Sequence, residues 1–200
     1  MSATKLFDSI SRMSVQDVMM SRSAESFSFG DYNSCEGYFK EAFLIADKTI
    51  TQFEFLPEYK QIVEWMTNTQ GKGLLLSGGC GLGKSVIITG VIPILFHFKF
   101  NRIIHPVSAI DMGAQFEDLK KRYFLCLDDI GSEATQSDYG ERREIFSELV
   151  QLAEKDMKPL FISTNMTGAQ MRERYGDRVV SRLVRLCRPV KFDEHKDMRF

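Results

Sequence analysis

Residues 73–85 read GLLLSGGCGLGKS, and no other stretch limits the fold as strongly. A short apolar run enters a glycine-rich turn, and the turn opens directly into a second apolar run. Within it stands Gly78-x-x-x-x-Gly83-Lys84-Ser85, the Walker A spacing. That spacing works only between a buried strand and a helix. Glycines let the backbone curl so that its N–H groups point inward at phosphate oxygens. Gly78, Gly79, Cys80, Gly81, Leu82 and Gly83 would form the cradle. Lys84 would supply charge to the β and γ phosphates, and Ser85 a hydroxyl to Mg²⁺. The helix N-terminus adds the positive end of its dipole. ATP with Mg²⁺ is the ligand this arrangement implies.

The rest of the chain supplies the strands and helices such a loop needs. GLLLSG (73–78), NRIIHPV (101–107), YFLCLDD (123–129), PLFISTN (159–165) and PVKF (189–192) read as five strands, mostly apolar throughout. Helical patterns separate them. One runs from Lys84 to about His97, with Pro93 expected to kink or shorten it. Ser108 to Asp111 reads as a capping box opening a helix to about Lys121. Gly140–Lys155 is amphipathic, with Ile145, Leu149 and Leu152 on one side, and Thr167 to Gln170 reads as a second capping box. Strands that alternate with helices and are apolar on both faces predict a three-layer α/β domain with a mainly parallel five-stranded sheet.

Two carboxylates stand where the loop requires them. Asp128 and Asp129 close the apolar run LCLDD, at the strand end where ligands gather in open α/β sheets. Asp128 fits the Mg²⁺ partner and Asp129 the group that orients or activates the attacking water. Asn165 ends the next strand and emerges at the same edge. The third feature is basic. Arg172–Lys191 holds seven basic residues against two acidic ones, in a chain with 26 basic and 27 acidic residues overall. At helical spacing Val180, Leu183, Val184 and Cys187 fall on one side, with Arg178, Arg182 and Arg185 on the other. Like charges at that spacing repel, which suits an anionic partner.

Near-neutral charge excludes a general affinity for nucleic acid, so any such contact must be local. The four cysteines are scattered with no C-x-x-C pair, and the three histidines have no metal-ligand spacing. With no signal peptide and no apolar run of membrane length, a cytoplasmic, soluble protein without membrane attachment is expected. The first 52 residues, rich in Ser and Met with weak periodicity, read as a short N-terminal appendage and possible partner-docking segment. Residues 53–200 read as the ATPase domain.

Taken together, GGCGLGKS (78–85), LCLDDIGSEA (125–134), PLFISTN (159–165), YGDRVVSRL (175–183) and the terminal KDMR (196–199) resemble an AAA+ ATPase. Within that class they resemble the bacterial helicase loaders of the DnaC and DnaI type and the transposition helpers of the IstB type. The resemblance implies a P-loop NTPase without a helical lid domain, because the chain ends soon after PVKF. It implies that Asn165 is the sensor beside the γ-phosphate, that Arg182 is an arginine finger reaching a neighbour's ATP, and that Arg178 is its companion. It implies self-association, a replicative DNA helicase as partner, single-stranded DNA as a further ligand, and slow Mg²⁺-dependent ATP hydrolysis in DNA replication. Many AAA+ proteins carry Glu where this chain has Asp129; loaders often show Asp there, which is one methylene shorter. A transposition helper acting on duplex DNA would share the same site. A small-molecule P-loop kinase and a nucleotide-gated scaffold with negligible hydrolysis complete the alternatives.

Overall fold

The computed structural model describes residues 24–50, 52–132 and 139–192, with the side chains of 139–143 outside that description. The end of the chain, with the KDMR stretch, and most of the Ser- and Met-rich start lie outside it. Five strands form one sheet: β1 (Gly73–Gly78), β2 (Val107–Ser108), β3 (Leu125–Ile130), β4 (Leu160–Thr164) and β5 (Cys187–Phe192). Their order is β2-β3-β4-β1-β5, and every pairing is parallel. Parallel neighbours demand crossover connections, which place helices on both faces.

Alternate side chains along the strands feed two cores. Leu74, Leu76, Cys126, Phe161, Val190 and Phe192 enter one, and Leu75, Leu125, Leu127, Leu160, Ile162 and Cys187 enter the other. Over the first core lie α1 (Tyr32–Ala46), α2 (Pro57–Thr67), α3 (Lys84–Val86), a π-helical turn (Ile87–Val91) and α4 (Ile92–Phe100). Over the second lie α5 (Phe116–Lys121), α6 (Tyr139–Asp156), α7 (Gly168–Tyr175) and α8 (Asp177–Leu186). The three-layer α/β reading holds, and the sheet is parallel throughout its five strands.

The core reaches further toward the N-terminus than residue 53. Phe27, Phe29, Cys35, Phe39, Ala42 and Phe43 are buried in the first core. The backbone of this stretch joins the end of α2, with Phe29 N–H donating to Met66 O at 3.0 Å and Thr69 N–H to Phe27 O at 2.9 Å. Phe39 and Phe43 surround Tyr59 with ring centroids 5.2 and 5.4 Å away. Aromatic burial of this kind dominates core energetics, so α1 is a structural part of the domain.

Several local expectations shift. Residues 101–106 are not a strand, and β2 is only Val107–Ser108. Asn101 turns the chain out of α4 in the left-handed region, and Pro106 has no N–H to give a ladder. Ser108 is no helix cap. Ala109 N–H still bonds Asp128 O at 2.9 Å, so the chain is pairing with β3 where the helix was expected to open. Turns follow, burying Ala109 and Met112, and α5 begins at Phe116. Pro93 does not shorten its helix, which reaches Phe100. The π turn ends two residues before Pro93, and the proline sits in the first turn of α4, where its missing N–H is tolerated. Val184 is 51% exposed rather than packed, while Val179, Val180 and Leu183 face the core and Cys187 belongs to β5.

Candidate nucleotide site

The phosphate loop begins where β1 runs out against β5. Gly78 sits at φ 132°, and a Cβ there would lie 2.1 Å from Phe192 O, so no side chain fits. Gly81 and Gly83 also take positive φ, at 83° and 75°. A Cβ on Gly83 would meet Phe43 Cζ at 2.8 Å and Tyr59 Oη at 3.0 Å. The loop therefore rests on an aromatic floor built by α1 and α2. Tyr59 Oη also donates to Leu82 O at 3.4 Å, and burial holds its hydroxyl protonated well above the ordinary range.

Lys84 points back into the loop and donates to Gly79 O at 2.5 Å. It is only 6% exposed. Burial lowers its pKa from the ordinary 10.5, against the opposing pull of Cys80, Asp129 and Asp128. Ser85 is exposed at the start of α3, and Cys80 is exposed in the loop.

The two aspartates occupy a β-bulge. The β3–β4 register runs Leu125↔Leu160, Cys126↔Phe161, Leu127↔Ile162 and then Ile130↔Thr164. Three steps on β3 match two on β4. The extra residue appears at Asp129, whose φ is 57°. Aspartate tolerates this left-handed region better than most side chains. In a regular strand consecutive side chains point to opposite faces. Here both aspartates engage the end of β4. Ser163 Oγ donates to Asp128 Oδ1, Asp129 N–H donates to Ser163 Oγ at 2.8 Å, and Asn165 Nδ2 donates to Asp129 Oδ1 at 3.1 Å. Thr164 Oγ1 fastens the far side, donating to Ile130 O at 2.5 Å. The carboxyl edge thus gathers the loop, Asp128, Asp129 and Asn165.

These donors suit a Mg²⁺–nucleotide complex. Positive-φ glycines and a buried ammonium suit phosphate, while a serine hydroxyl and carboxylates are the hard oxygens Mg²⁺ prefers. Among the described residues no group of three or more His, Cys, Asp or Glu side chains could hold a metal ion by itself. A cation here would complete its shell with phosphate oxygens and water.

Solved structures share this architecture. The crystal structure of the DnaC helicase loader superposes with a TM-score of 0.60 at 20% identity, covering 75% of this chain and 98% of that one. The crystal structure of DnaI gives 0.57 at 19%, covering 76% and 93%. The replication initiator DnaA bound to AMPPCP and single-stranded DNA gives 0.56 at 17%, covering 76% and 50%. This chain has the AAA+ fold. No family model and no curated protein matches it in sequence.

In this AAA+ domain the arginines of α7 and α8 bond to the elements around them. The Thr167–Gln170 box caps α7 as expected, and Gly176 ends it at φ 84°. Arg174 Nη1 donates to Gly131 O at 2.7 Å, tying α7 to the turn after the aspartates. Arg182 Nε donates to Glu154 Oε2 of α6 at 2.7 Å, and Arg185 Nη2 lies 2.5 Å from Glu154 Oε1. Arg182 is 20% exposed by side chain, and Arg178 is exposed without a hydrogen bond or ion pair among the described residues. Sequence reading missed Ser163 and Glu154. A small hydroxyl inside the apolar LFIST run marks Ser163, whereas Glu154 meets Arg182 across 28 positions and leaves no local signal.

Proposed function

We propose that this chain binds ATP with Mg²⁺ and hydrolyses it as a DNA-replication helper that loads a replicative helicase onto single-stranded DNA. The observation that carries the ATPase reading is the shared sheet edge: a buried Lys84 in a glycine cradle, with Asp128 and Asp129 joined through Ser163 and Asn165 donating to Asp129 at the same edge. The likeness in fold to DnaC and DnaI supports the loader role.

In this mechanism the loop N–H groups and Lys84 bind the triphosphate. Ser85 and Asp128 would hold Mg²⁺, which when bound would offset charge on the β and γ phosphates. Asp129 accepts a hydrogen bond from the attacking water, with its carboxylate aimed by Asn165. The water oxygen bonds to the γ phosphorus. The bond to the β–γ bridging oxygen breaks, ADP leaves with that electron pair, and the water proton passes through Asp129 to solvent. Arg182, with Arg178 beside it, stabilises charge on the transferring phosphoryl group from a neighbouring subunit. Its Nε is held by Glu154, and its terminal amines have no partner among the described residues.

The test is phosphate release with and without single-stranded DNA, combined with co-purification. Release that rises with single-stranded DNA and recovery of a replicative helicase are expected. Phosphate transfer to a small acceptor, or recovery of a transposase instead, would overturn the loader assignment.

A further inference from the structure

We propose that Ser163 is the positioning residue of this site, fixing the metal-side and water-side carboxylates through one buried hydroxyl. The inference rests on the ATPase reading above. Ser163 is 1% exposed, on β4. A serine hydroxyl has one hydrogen and two lone pairs. Its hydrogen goes to Asp128 Oδ1, and a lone pair accepts the Asp129 N–H at 2.8 Å. The rotor therefore has one orientation that satisfies both aspartates at once.

The bulge explains why a side chain must do this. An extra residue in one strand is left without a backbone partner on the other. Asp129 is that residue, in the left-handed region at φ 57°. Ser163 supplies the acceptor that the β4 backbone does not. The same oxygen then spends its proton on the neighbouring carboxylate. Asp128 is held in one rotamer, and Asp129 is anchored by its N–H while Asn165 takes its Oδ1. Without the hydroxyl, Asp128 is free to rotate, and the half-buried Asp129 N–H loses its acceptor.

Groups that orient metal ligands are worth about 10–100-fold in metal affinity or activity when removed. The experiment uses the full chain as wild type, Ser163→Ala and Ser163→Thr. Affinity for a fluorescent ATP analogue is titrated in EDTA and at graded Mg²⁺. The Mg²⁺ concentration giving half-maximal phosphate release is read in parallel, and circular dichroism checks folding. Ser163→Ala should raise that Mg²⁺ concentration by about tenfold or more, while nucleotide affinity in EDTA stays within about twofold. Ser163→Thr keeps the hydroxyl and should restore the wild-type Mg²⁺ response. Hydrogen exchange at the Asp129 amide, slow in wild type, should accelerate in Ser163→Ala and slow again in Ser163→Thr.

An unchanged Mg²⁺ response in Ser163→Ala overturns the proposal. So does an equal loss with and without Mg²⁺, or a folded Ser163→Thr that behaves like Ser163→Ala. A wild-type chain that binds no nucleotide overturns the ATPase reading and this role with it. Normal wild-type binding with an indifferent Ser163→Ala overturns Ser163 alone.

Discussion

Lys84 holds a positive charge where burial disfavours it, and phosphate is what would make that placement favourable. Removing the ammonium should cost a charge-assisted contact of about 2–3 kcal/mol, roughly 30- to 150-fold in affinity. Lys84→Ala should show this in a fluorescent-nucleotide titration, and wild-type affinity in the variant would sink the loop's assigned role. The same burial makes a pH prediction. The folded, nucleotide-free chain binds the Lys84 proton less tightly than the unfolded chain, so unfolding takes a proton up. Stability should rise with pH between the lowered pKa and 10.5, where unfolded lysine still holds its proton. Urea melts of wild type and Lys84→Met across that window check this. Wild type should gain stability relative to the variant as pH rises, and an equal slope in both would refute it.

At the scale of elements, α1 decides whether the loop has a floor. Phe43 is fully buried, and its ring edge lies where a Cβ on Gly83 would fall. Phe43→Ala should destabilise the chain by about 3–5 kcal/mol in urea melts. A cost near zero would mean that α1 is not held in the core. How legible each element was follows from how local its cause is. Strands buried on both faces leave continuous apolar runs, so β1, β3 and β4 stood out, as did the glycine loop between β1 and α3. The second capping box at Thr167 was readable because both of its hydrogen bonds span three residues. The one at Ser108 misled because a sheet partner, Asp128, claims the backbone first. The membership of α1 was obscured by the polar residues between its buried Cys35, Phe39 and Phe43. The bulge was illegible because Asp128 and Asp129 look like any strand end until β4 sets the register. Its fastener, Ser163, lies 34 positions from the amide it holds.

At the scale of the whole molecule, one chain carries two halves of the proposed site on different elements. Asp129 lies at the sheet edge, while Arg182 is on α8 with its Nε bound to Glu154. If Arg182 completes a neighbour's site, two inactive variants should complement each other. Arg182→Ala keeps its own Asp129 but offers no finger, and Asp129→Ala offers a finger but cannot orient water. In a head-to-tail assembly mixed at equal amounts, about a quarter of interfaces pair an intact Asp129 with a neighbour's intact Arg182. Phosphate release by the mixture should therefore recover to about a quarter of the wild-type rate, from variants that each give almost none. Activity should vanish again as either variant is taken in large excess, because productive pairs need one of each. If Arg182 instead serves its own chain's nucleotide, every subunit in the mixture is defective, and no ratio restores release. Nucleotide binding should survive in both variants, since Lys84 and the glycine cradle are untouched. That separates a missing finger from a collapsed site.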